Sequence, residues 1–204
     1  MALDTRGAEA AGEWIRAASP TYPCLIDERH VVAELYGIVN VPMAVWIDES
    51  GTVVRPAEVA GASEAFRTEF DRATATMPER GAAVARQATE SYSAALRSWV
   101  LEGKHALPAG EARSRLRLPT ATDALAAAHA RLAELLWQAG DGEGARRQYA
   151  EASRLVPESW CYRRQGWNLE DEPQLAGPRF WAAVDRLAPG EYYPPPPDLP
   201  GPPP

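Results

Sequence analysis

Cysteine, lysine and long apolar runs are scarce in this chain. The two cysteines, Cys24 and Cys161, stand far apart and without a CxxC spacing, which excludes a disulfide framework and a visible redox motif. Lysine occurs once, as Lys104, against twenty arginines. The net charge is −7 without any basic block, which argues against nucleic acid or an anionic membrane surface as a partner. No apolar run approaches the length that spans a membrane.

The familiar catalytic signatures are missing as well. The histidines His30, His105 and His129 are scattered without metal-ligand spacing, and the chain has neither a nucleophile elbow nor a glycine-rich phosphate loop. The sequence therefore predicts no metal and no cofactor. The first residues lack a basic segment followed by an apolar core, so no signal peptide is visible and a cytoplasmic protein is predicted.

What is present is the composition of an ordinary soluble globular protein. The 204 residues include 46% hydrophobic and 24% charged side chains, enough for one compact domain or two small ones. In the first part of the chain, strand-like and helix-like patterns alternate, which predicts a parallel-type α/β sheet that ends in a hairpin. The predicted elements are a strand end at 2–4, a helix at 7–18, a strand at 24–26, a helix at 30–36 and a helix from 63 towards 74.

Apolar periodicity also predicts which side chains are buried in these elements. The stripe of the first helix consists of Ala8, Ala11, Trp14, Ile15 and Ala18. In the second helix, Val31, Val32 and Leu35 are predicted to face inward. Cys24 lies in an apolar strand without a partner cysteine, so it is predicted to be a small buried hydrophobic residue.

The stretch Met43–Ile47 is apolar and rich in β-branched and aromatic side chains, which favours a buried strand. Asp48–Gly51 carries turn residues and Thr52–Val54 resumes a strand, so the sequence predicts a β-hairpin. Pro42 has no N–H, and it therefore fits only at the beginning of the first of these strands.

From about Pro78 the sequence becomes helical and rich in alanine and arginine. The predicted elements are a long helix at 82–102, a connection at 107–120, two helices around the turn 140–142, a helix from about 159 and a short helix at 180–187. The end, YYPPPPDLPGPPP, is predicted to be an exposed polyproline-like or disordered tail. This organisation predicts an α/β domain at 1–76, a helical domain at 77–190 and a proline-rich tail at 191–204.

Residues 124–157 resemble a tetratricopeptide repeat, in which two antiparallel helices pack through small and aromatic side chains. The matching positions are Leu132, Ala133, Leu136, Gly140, Ala145, Tyr149, Ala152 and Pro157. His129 stands where the motif usually has tryptophan, and the next helix, with Tyr162, Gly166 and Leu169, resembles half of a second repeat. The alternative is a generic helical hairpin.

The stretch YPCLIDERHVVAELYGIVNVPMAVWIDESGTVVRP, residues 22–56, resembles the C-terminal part of a thioredoxin-like domain. The thioredoxin-like domains that it resembles are those of thiol-disulfide reductases of the cytochrome-maturation type and of peroxiredoxins. In that family the proline before the strand forms a cis peptide bond, and the residue before it offers its backbone to an extended substrate peptide. The resemblance implies that Pro42 is this cis-proline and that Val41 binds the peptide backbone.

The redox centre of the family has no counterpart here. The family carries CxxC at the start of a helix, whose N-terminus stabilises the thiolate. This chain begins after that point, and Cys24 does not replace the motif. One interpretation is a shortened version of a longer protein; the other is a degenerate member whose cleft binds without chemistry. Loss of a central strand would leave apolar strand edges unpaired, which favours the first interpretation.

The sequence thus predicts α/β plus all-α: a partial thioredoxin-like sheet followed by a tetratricopeptide-like helical domain. The resemblance implies thiol-disulfide exchange or peroxide reduction for an intact version, and no activity for this chain because CxxC is absent. The alternative is a non-enzymatic module that binds a protein or peptide partner through its helices. Val41 and Pro42 are the predicted substrate-binding residues, and no catalytic residue is predicted.

Overall fold

The computed structural model describes residues 1–170 and 177–199. The fold is mixed α/β, and helix is in the majority. The strands are β1 (Ala2–Leu3), β2 (Ile26–Asp27), β3 (Met43–Ile47) and β4 (Val53–Val59). The helices are α1 (Gly7–Ala18), α2 (Val31–Tyr36), α3 (Ala65–Thr68), α4 (Glu79–Glu102), α5 (Ala109–Arg115), α6 (Ala121–Gln138), α7 (Gly142–Leu155), α8 (Trp160–Asn168) and α9 (Pro178–Val184).

Contacts divide the described chain into two compact units, each assembled from two stretches of sequence. Unit 1 combines Met1–Val41 with the described residues of Arg117–Gly177. Unit 2 combines Pro42–Leu116 with the described residues from Pro178 onward. The units are defined by contacts and not by sequence relatedness, so the predicted domains at 1–76, 77–190 and 191–204 stay a prediction.

Each unit holds one small sheet. In unit 1, β1 and β2 pair in parallel, with Ala2 opposite Ile26. In unit 2, β3 and β4 form the predicted antiparallel hairpin, with Met43 opposite Val59. The register of this hairpin shifts near Trp46. Pro56 lies in the adjoining part of β4 and has no N–H to donate to a ladder, which accounts for an irregular pairing there.

The hairpin turn is held by the side chain of Asp48. Its Oδ1 accepts hydrogen bonds from the backbone N–H groups of Ser50 and Thr52, at 2.9 Å each. Gly51 has φ of 82°, a left-handed conformation that favours glycine. The predicted turn chemistry is thus confirmed.

The core of unit 1 lies between α6, α7 and α8. It is built mainly from small side chains, which let the helices approach closely: Ala126, Ala130, Ala133, Ala145 and Ala152 are buried. Tyr149 is completely buried among them, and a Cβ added to Gly166 of α8 would lie only 3.0 Å from the Cβ of Tyr149. The predicted helical hairpin and the helix after it are confirmed, while their relation to tetratricopeptide repeats stays a prediction.

The core of unit 2 is aromatic. Trp46 of β3 stacks on Trp99 of α4, with ring centroids 5.0 Å apart, and Tyr92 meets Trp46 edge-on at 5.9 Å. The indole Nε1 of Trp46 donates to the Tyr92 hydroxyl across 2.8 Å, which satisfies the one polar atom of a buried ring. A second group of rings surrounds Phe66 of α3 and contains Phe180, Trp181, Tyr192 and Tyr193.

Two predictions of buried faces are wrong. In α1, Trp14 is 75% exposed. Ala11 is buried as predicted, together with Gly7 and Gly12, which were not part of the predicted stripe. In α2, Val31 is 40% and Leu35 78% exposed, whereas Ala33 is buried. An amphipathic pattern leads to a buried helix face only where another element covers that face. Helix α2 has just six residues, so it offers little surface for another element to cover.

Other differences concern the bounds of elements. The helix predicted from 63 towards 74 is reduced to α3, because Asp71 and Thr76 exchange backbone hydrogen bonds and Asp71 Oδ1 accepts from Ala73 N–H at 2.9 Å. Such local side-chain bonds compete with helix. The predicted connection at 107–120 contains α5. Cys24 precedes β2 instead of lying inside a strand, and it is only partly buried.

The proline-rich end differs in part from the predicted exposed tail. Pro194, Pro195 and Pro197 are exposed, but Tyr192 and Leu199 are buried in unit 2. Residues 200–204 of the predicted tail lie outside the described residues. No helix among the described residues combines the length and the apolar character that a bilayer crossing requires.

Candidate functional site

Unit 1 contains a cleft of about 380 Å³ between α2, the beginning of α6 and the beginning of α8. Its walls are mainly apolar and include Val31, Leu35, Ile38, Val39, Ala124 and Ala127. A few polar side chains, described below, also line it. This combination of size, apolar walls and few polar groups is typical of ligand sites.

Local sequence explains why a cleft forms here. The Asp27 carboxylate caps α2, because its oxygens accept from the N–H groups of Val31 and Ala33, each at 3.0 Å. The helix ends one and a half turns later at Gly37, which has the left-handed φ of 68°. Opposite, α6 presents alanines near its first turns. A short helix that faces small side chains leaves the space unfilled.

His30 lies on the wall between this cleft and a smaller cavity of about 110 Å³. Its ring is 1% exposed and its φ is 55°. Nε2 is 3.5 Å from Thr5 Oγ1, which is itself 2.9 Å from the Tyr149 hydroxyl. Nδ1 has no hydrogen-bond partner among the described residues. Burial lowers the pKa of His30 to about 4, against the opposing effect of the Asp27 and Asp4 carboxylates, so the ring is neutral near pH 7.

Glu34 and Tyr162 form the polar part of the cleft wall. The Tyr162 hydroxyl donates to Glu34 Oε1 across 2.9 Å. Burial raises the pKa of Glu34, while the hydrogen bond from Tyr162 opposes this shift. The second carboxylate oxygen, Oε2, has no ion pair or hydrogen bond within the described part of the chain.

The other charges of the cleft wall are already paired. Arg117 contacts Asp123 at 2.6 Å and Glu158 at 2.7 Å. Arg131 pairs with Glu134, a buried residue of α6 whose pKa burial raises to about 7. Among the described charged groups that line the cleft, Glu34 is thus the one without an ion pair at contact distance, and the Arg131 guanidinium lowers its pKa only from further away.

The two cysteines are not joined by a disulfide. Both are free thiols. Cys161 lines the cleft, but burial raises its pKa to about 12, and its Sγ lies 3.6 Å from the carbonyl oxygen of Ile38. A thiol with such a pKa is almost wholly protonated at neutral pH, and only the thiolate is nucleophilic. Among the residues that the structure describes, no group of three or more His, Cys, Asp or Glu side chains could hold a metal ion.

Neither predicted substrate-binding residue lines the cleft. Val41 borders the smaller cavity, and its N–H donates to Asn40 Oδ1 at 2.9 Å. Pro42 is exposed and begins unit 2, where its carbonyl accepts from Ala60 N–H at 3.1 Å. An extended peptide that paired with the Val41 N–H would have to displace the Asn40 side chain. The assignment of both residues to a substrate site stays a prediction.

The residues that give the cleft its polar character were missed from the sequence. In the sequence His30 is one of three scattered histidines, and Glu34 lies among apolar residues of a predicted helix, so neither has the pattern of a site residue. The sequence does hold one signal for the cleft. Val31 and Leu35 lie on one face of α2 and Ala33 lies on the other, so both faces of this helix are apolar.

Comparisons with protein-family models, with curated proteins and with solved structures found no match to this chain.

Proposed function

We propose that this protein is a non-enzymatic interaction module that binds an apolar peptide segment of a protein partner in the cleft of unit 1. The observation that carries the proposal is the cleft of about 380 Å³ with its mainly apolar wall. A cavity of this size accommodates one or two apolar side chains with part of their backbone.

The exposed side chains beside the cleft favour a peptide over a small molecule. Val31 and Leu35 line the cleft and also extend into solvent, so an apolar surface continues beyond the cavity. A small ligand within the cavity would leave this surface in water. A peptide that lies across α2 would cover it, and burial of apolar surface contributes about 25 cal/mol per Å².

The charges of the wall indicate what the peptide carries next to its apolar anchor. Glu34 presents a carboxylate oxygen that no described group pairs, in surroundings that raise its pKa. A lysine or arginine of the peptide would pair with this carboxylate, whereas an acidic residue would be repelled. We therefore propose an anchor such as leucine followed by a basic residue.

The thioredoxin-like resemblance supports a second proposal. The chain is related by descent to thioredoxin-like proteins, but it does not itself exchange thiols and disulfides. The resemblance depends on Val41–Pro42 ahead of the hairpin β3–β4. The buried Cys161 and the single Cys24 offer no attacking and resolving thiol pair. We expect dithiothreitol-driven reduction of insulin by this chain to equal that by its Cys24→Ser variant, and a clear excess would restore the redox proposal.

The peptide proposal is tested by nuclear magnetic resonance on the full chain. The probes are capped tetrapeptides of equal length, Gly-Leu-Lys-Gly, Gly-Leu-Glu-Gly, Gly-Gln-Lys-Gly and Gly-Gln-Glu-Gly, together with hexylamine. Amide shifts in α2 and in the first turns of α6 report binding in the cleft. We expect the peptide with leucine and lysine to bind at least about tenfold more tightly than the other peptides, a difference of about 1.4 kcal/mol.

Two outcomes contradict the proposal. Equal shifts for all four peptides would mean that the cleft selects neither an apolar anchor nor a basic neighbour. Hexylamine that binds as tightly as the leucine-lysine peptide would indicate a small amine as the ligand, and a peptide partner would be excluded.

A further inference from the structure

The C-terminal segment 191–199, which belongs to unit 2, is held on the rest of this unit at two separate places. At the first, Tyr192 is buried with its ring 5.0 Å from that of Phe66, and Tyr193 N–H donates to Glu64 Oε1 at 2.9 Å. At the second, Asp198 and Leu199 are held by residues of the hairpin and of the following helices. The prolines between the two places are mostly exposed.

Asp198 is bound by two guanidinium groups. Arg55 reaches both of its oxygens, with Nη1 2.7 Å from Oδ2 and Nη2 3.0 Å from Oδ1, and Arg115 Nη1 lies 2.8 Å from Oδ1. A bidentate arginine pair of this kind is geometrically selective for a carboxylate. The side chain of Arg55 is fully buried, and its guanidinium lies 5.1 Å from the ring centroid of Trp46.

Leu199 belongs to the same buried cluster of unit 2 as Trp46, Tyr92 and Ala95, and Trp99 packs on that cluster. We call the combination of Arg55, Arg115, Trp46, Tyr92 and Trp99 the Asp-Leu socket. It offers two cations for an acidic side chain and an aromatic wall for the leucine that follows.

The socket is held in place by groups outside the segment. Arg55 also donates to Glu58, from Nε at 2.9 Å and from Nη2 at 2.8 Å, and to the His105 carbonyl at 2.8 Å. Tyr92 is fixed between Trp46 Nε1 and Glu58 Oε1, at 2.8 and 3.0 Å. The socket therefore has its own framework of hydrogen bonds, to which Asp198 and Leu199 are added as an occupant.

We propose that the Asp-Leu socket is a recognition site for a proline-rich segment of a protein partner that carries Asp-Leu, and that the chain's own segment 191–199 occupies it as an intramolecular competitor. The occupant seen here defines the chemistry that fits. Proline-rich segments lose little conformational freedom on binding and are commonly recognised on aromatic surfaces. The segment 194–196 has no regular secondary structure, and Asp198 and Leu199 hold the chain on the socket.

The test uses the full chain and a fluorescein-labelled peptide of sequence EYYPPPPDL, with fluorescence anisotropy as the readout. The double variant Asp198→Ala/Leu199→Ala empties the socket and keeps the rest of the chain. We expect it to bind the peptide at least about tenfold more tightly than the wild type, in which the tethered segment competes at high effective concentration. The variant Pro195→Ala, at an exposed position between the two places of attachment, is the matched control and should bind as weakly as the wild type.

Specificity is tested with altered peptides and a second substitution. A peptide with asparagine in place of its aspartate, or alanine in place of its leucine, should bind the double variant at least about tenfold more weakly. Adding Arg115→Gln to the double variant should weaken binding of the original peptide several-fold. A folded double variant that binds no more tightly than the wild type would overturn the proposal, as would equal binding of the asparagine peptide.

A second measurement applies if the double variant does not fold. Spin-labelled EYYPPPPDL is added in large excess to wild-type protein, and the indole N–H signals of Trp46 and Trp99 are followed. Exchange of the tethered segment for the peptide brings the spin label to the socket and broadens these signals. Unchanged signals at the highest peptide concentration would overturn the proposal.

Discussion

The Tyr162 hydroxyl donates a hydrogen bond to Glu34 Oε1 across 2.9 Å and thereby joins α8 to α2 within unit 1. The two residues come from opposite ends of the unit's sequence, and their side chains line the same cleft. The bond fixes one carboxylate oxygen, while the other accepts no hydrogen bond from the described residues. It therefore serves the stability of unit 1 and the recognition that we propose.

Removing this hydroxyl should destabilise the protein. In Tyr162→Phe, the half-buried Glu34 loses its hydrogen-bond donor, and we expect the free energy of unfolding to fall by about 1–3 kcal/mol. The pKa of Glu34 should rise further, because the bond from Tyr162 opposes the effect of burial. Urea unfolding near neutral pH measures the change. The control Tyr36→Phe removes a hydroxyl from a more exposed ring and should alter the free energy by less than about 0.5 kcal/mol. An equal fall in the free energy of unfolding in both variants would contradict the assignment of the hydrogen bond between Tyr162 and Glu34.

His30 should make the protein less stable in mild acid. Its pKa is lowered by burial to about 4, whereas an unfolded histidine has a pKa near 6.5. Between these values the unfolded chain binds a proton that the folded protein does not, so the stability present above about pH 6.5 is lost as the pH falls towards 4. The loss from this one group amounts to at most about 3 kcal/mol.

The variant His30→Asn isolates this effect, since asparagine tolerates the left-handed backbone and does not titrate. Unfolding free energies measured between about pH 7 and pH 4 should fall less steeply in the variant than in the wild type. Parallel curves for the two proteins would show that His30 is protonated as easily in the folded state as in the unfolded state.

The two thiols should differ in reactivity. Cys161 is buried and its pKa is raised to about 12, whereas Cys24 is partly exposed. Under native conditions near neutral pH, iodoacetamide should therefore modify Cys24 and leave Cys161 unmodified, and both should react in urea. Intact mass spectrometry counts the added groups, and Cys24→Ser should remain unlabelled when folded. Native labelling of Cys161 at a rate close to that of Cys24 would contradict the structure of this region.

Gly166 should be intolerant of a larger side chain. A Cβ at this position would lie 3.0 Å from the Cβ of Tyr149, which is anchored in the centre of the unit 1 core. We expect Gly166→Ala to lower the free energy of unfolding by about 1–2 kcal/mol, despite the better helix propensity of alanine. Gly110→Ala is the matched helical control, because its Cβ would meet open space, and it should stabilise the protein slightly. Stabilisation by both substitutions would show that α7 and α8 lie further apart than described.

Local signals explain what the sequence predicts well. Asp48 and Gly51 determine the hairpin turn through bonds that span a few residues, and Asp141, which caps α7 by accepting from Gly144 N–H at 2.8 Å, marks the break between two helices. The same local reasoning predicts the bounds of α1 correctly, while the exposure of Trp14 depends on which other elements reach that helix. Periodicity indicates that a face is apolar, and tertiary packing decides whether it is covered.

The residues of the cleft and of the Asp-Leu socket depend on contacts that no short window contains. Tyr162 meets Glu34 and Asp198 meets Arg55 across more than a hundred positions of sequence. The proline-rich end is predicted from the sequence to be exposed, because no residue nearby in the chain indicates that Asp198 pairs with Arg55 of a distant strand. Apolar periodicity does not predict such long-range pairs, and both proposed binding sites depend on them.

The most direct test of the central claim fills the cleft without changing its charges. Ala124 lines the cleft from an exposed position on α6, and Ala128 lies on the same helix, is also exposed and does not line the cleft. The measurement is the affinity of the capped Gly-Leu-Lys-Gly peptide for Ala124→Trp and for Ala128→Trp, followed by amide shifts on the full chain. We predict that Ala124→Trp weakens binding by at least about tenfold, or about 1.4 kcal/mol, while Ala128→Trp binds like the wild type. Equal affinity of the two variants would contradict the proposal that unit 1 binds its partner in this cleft.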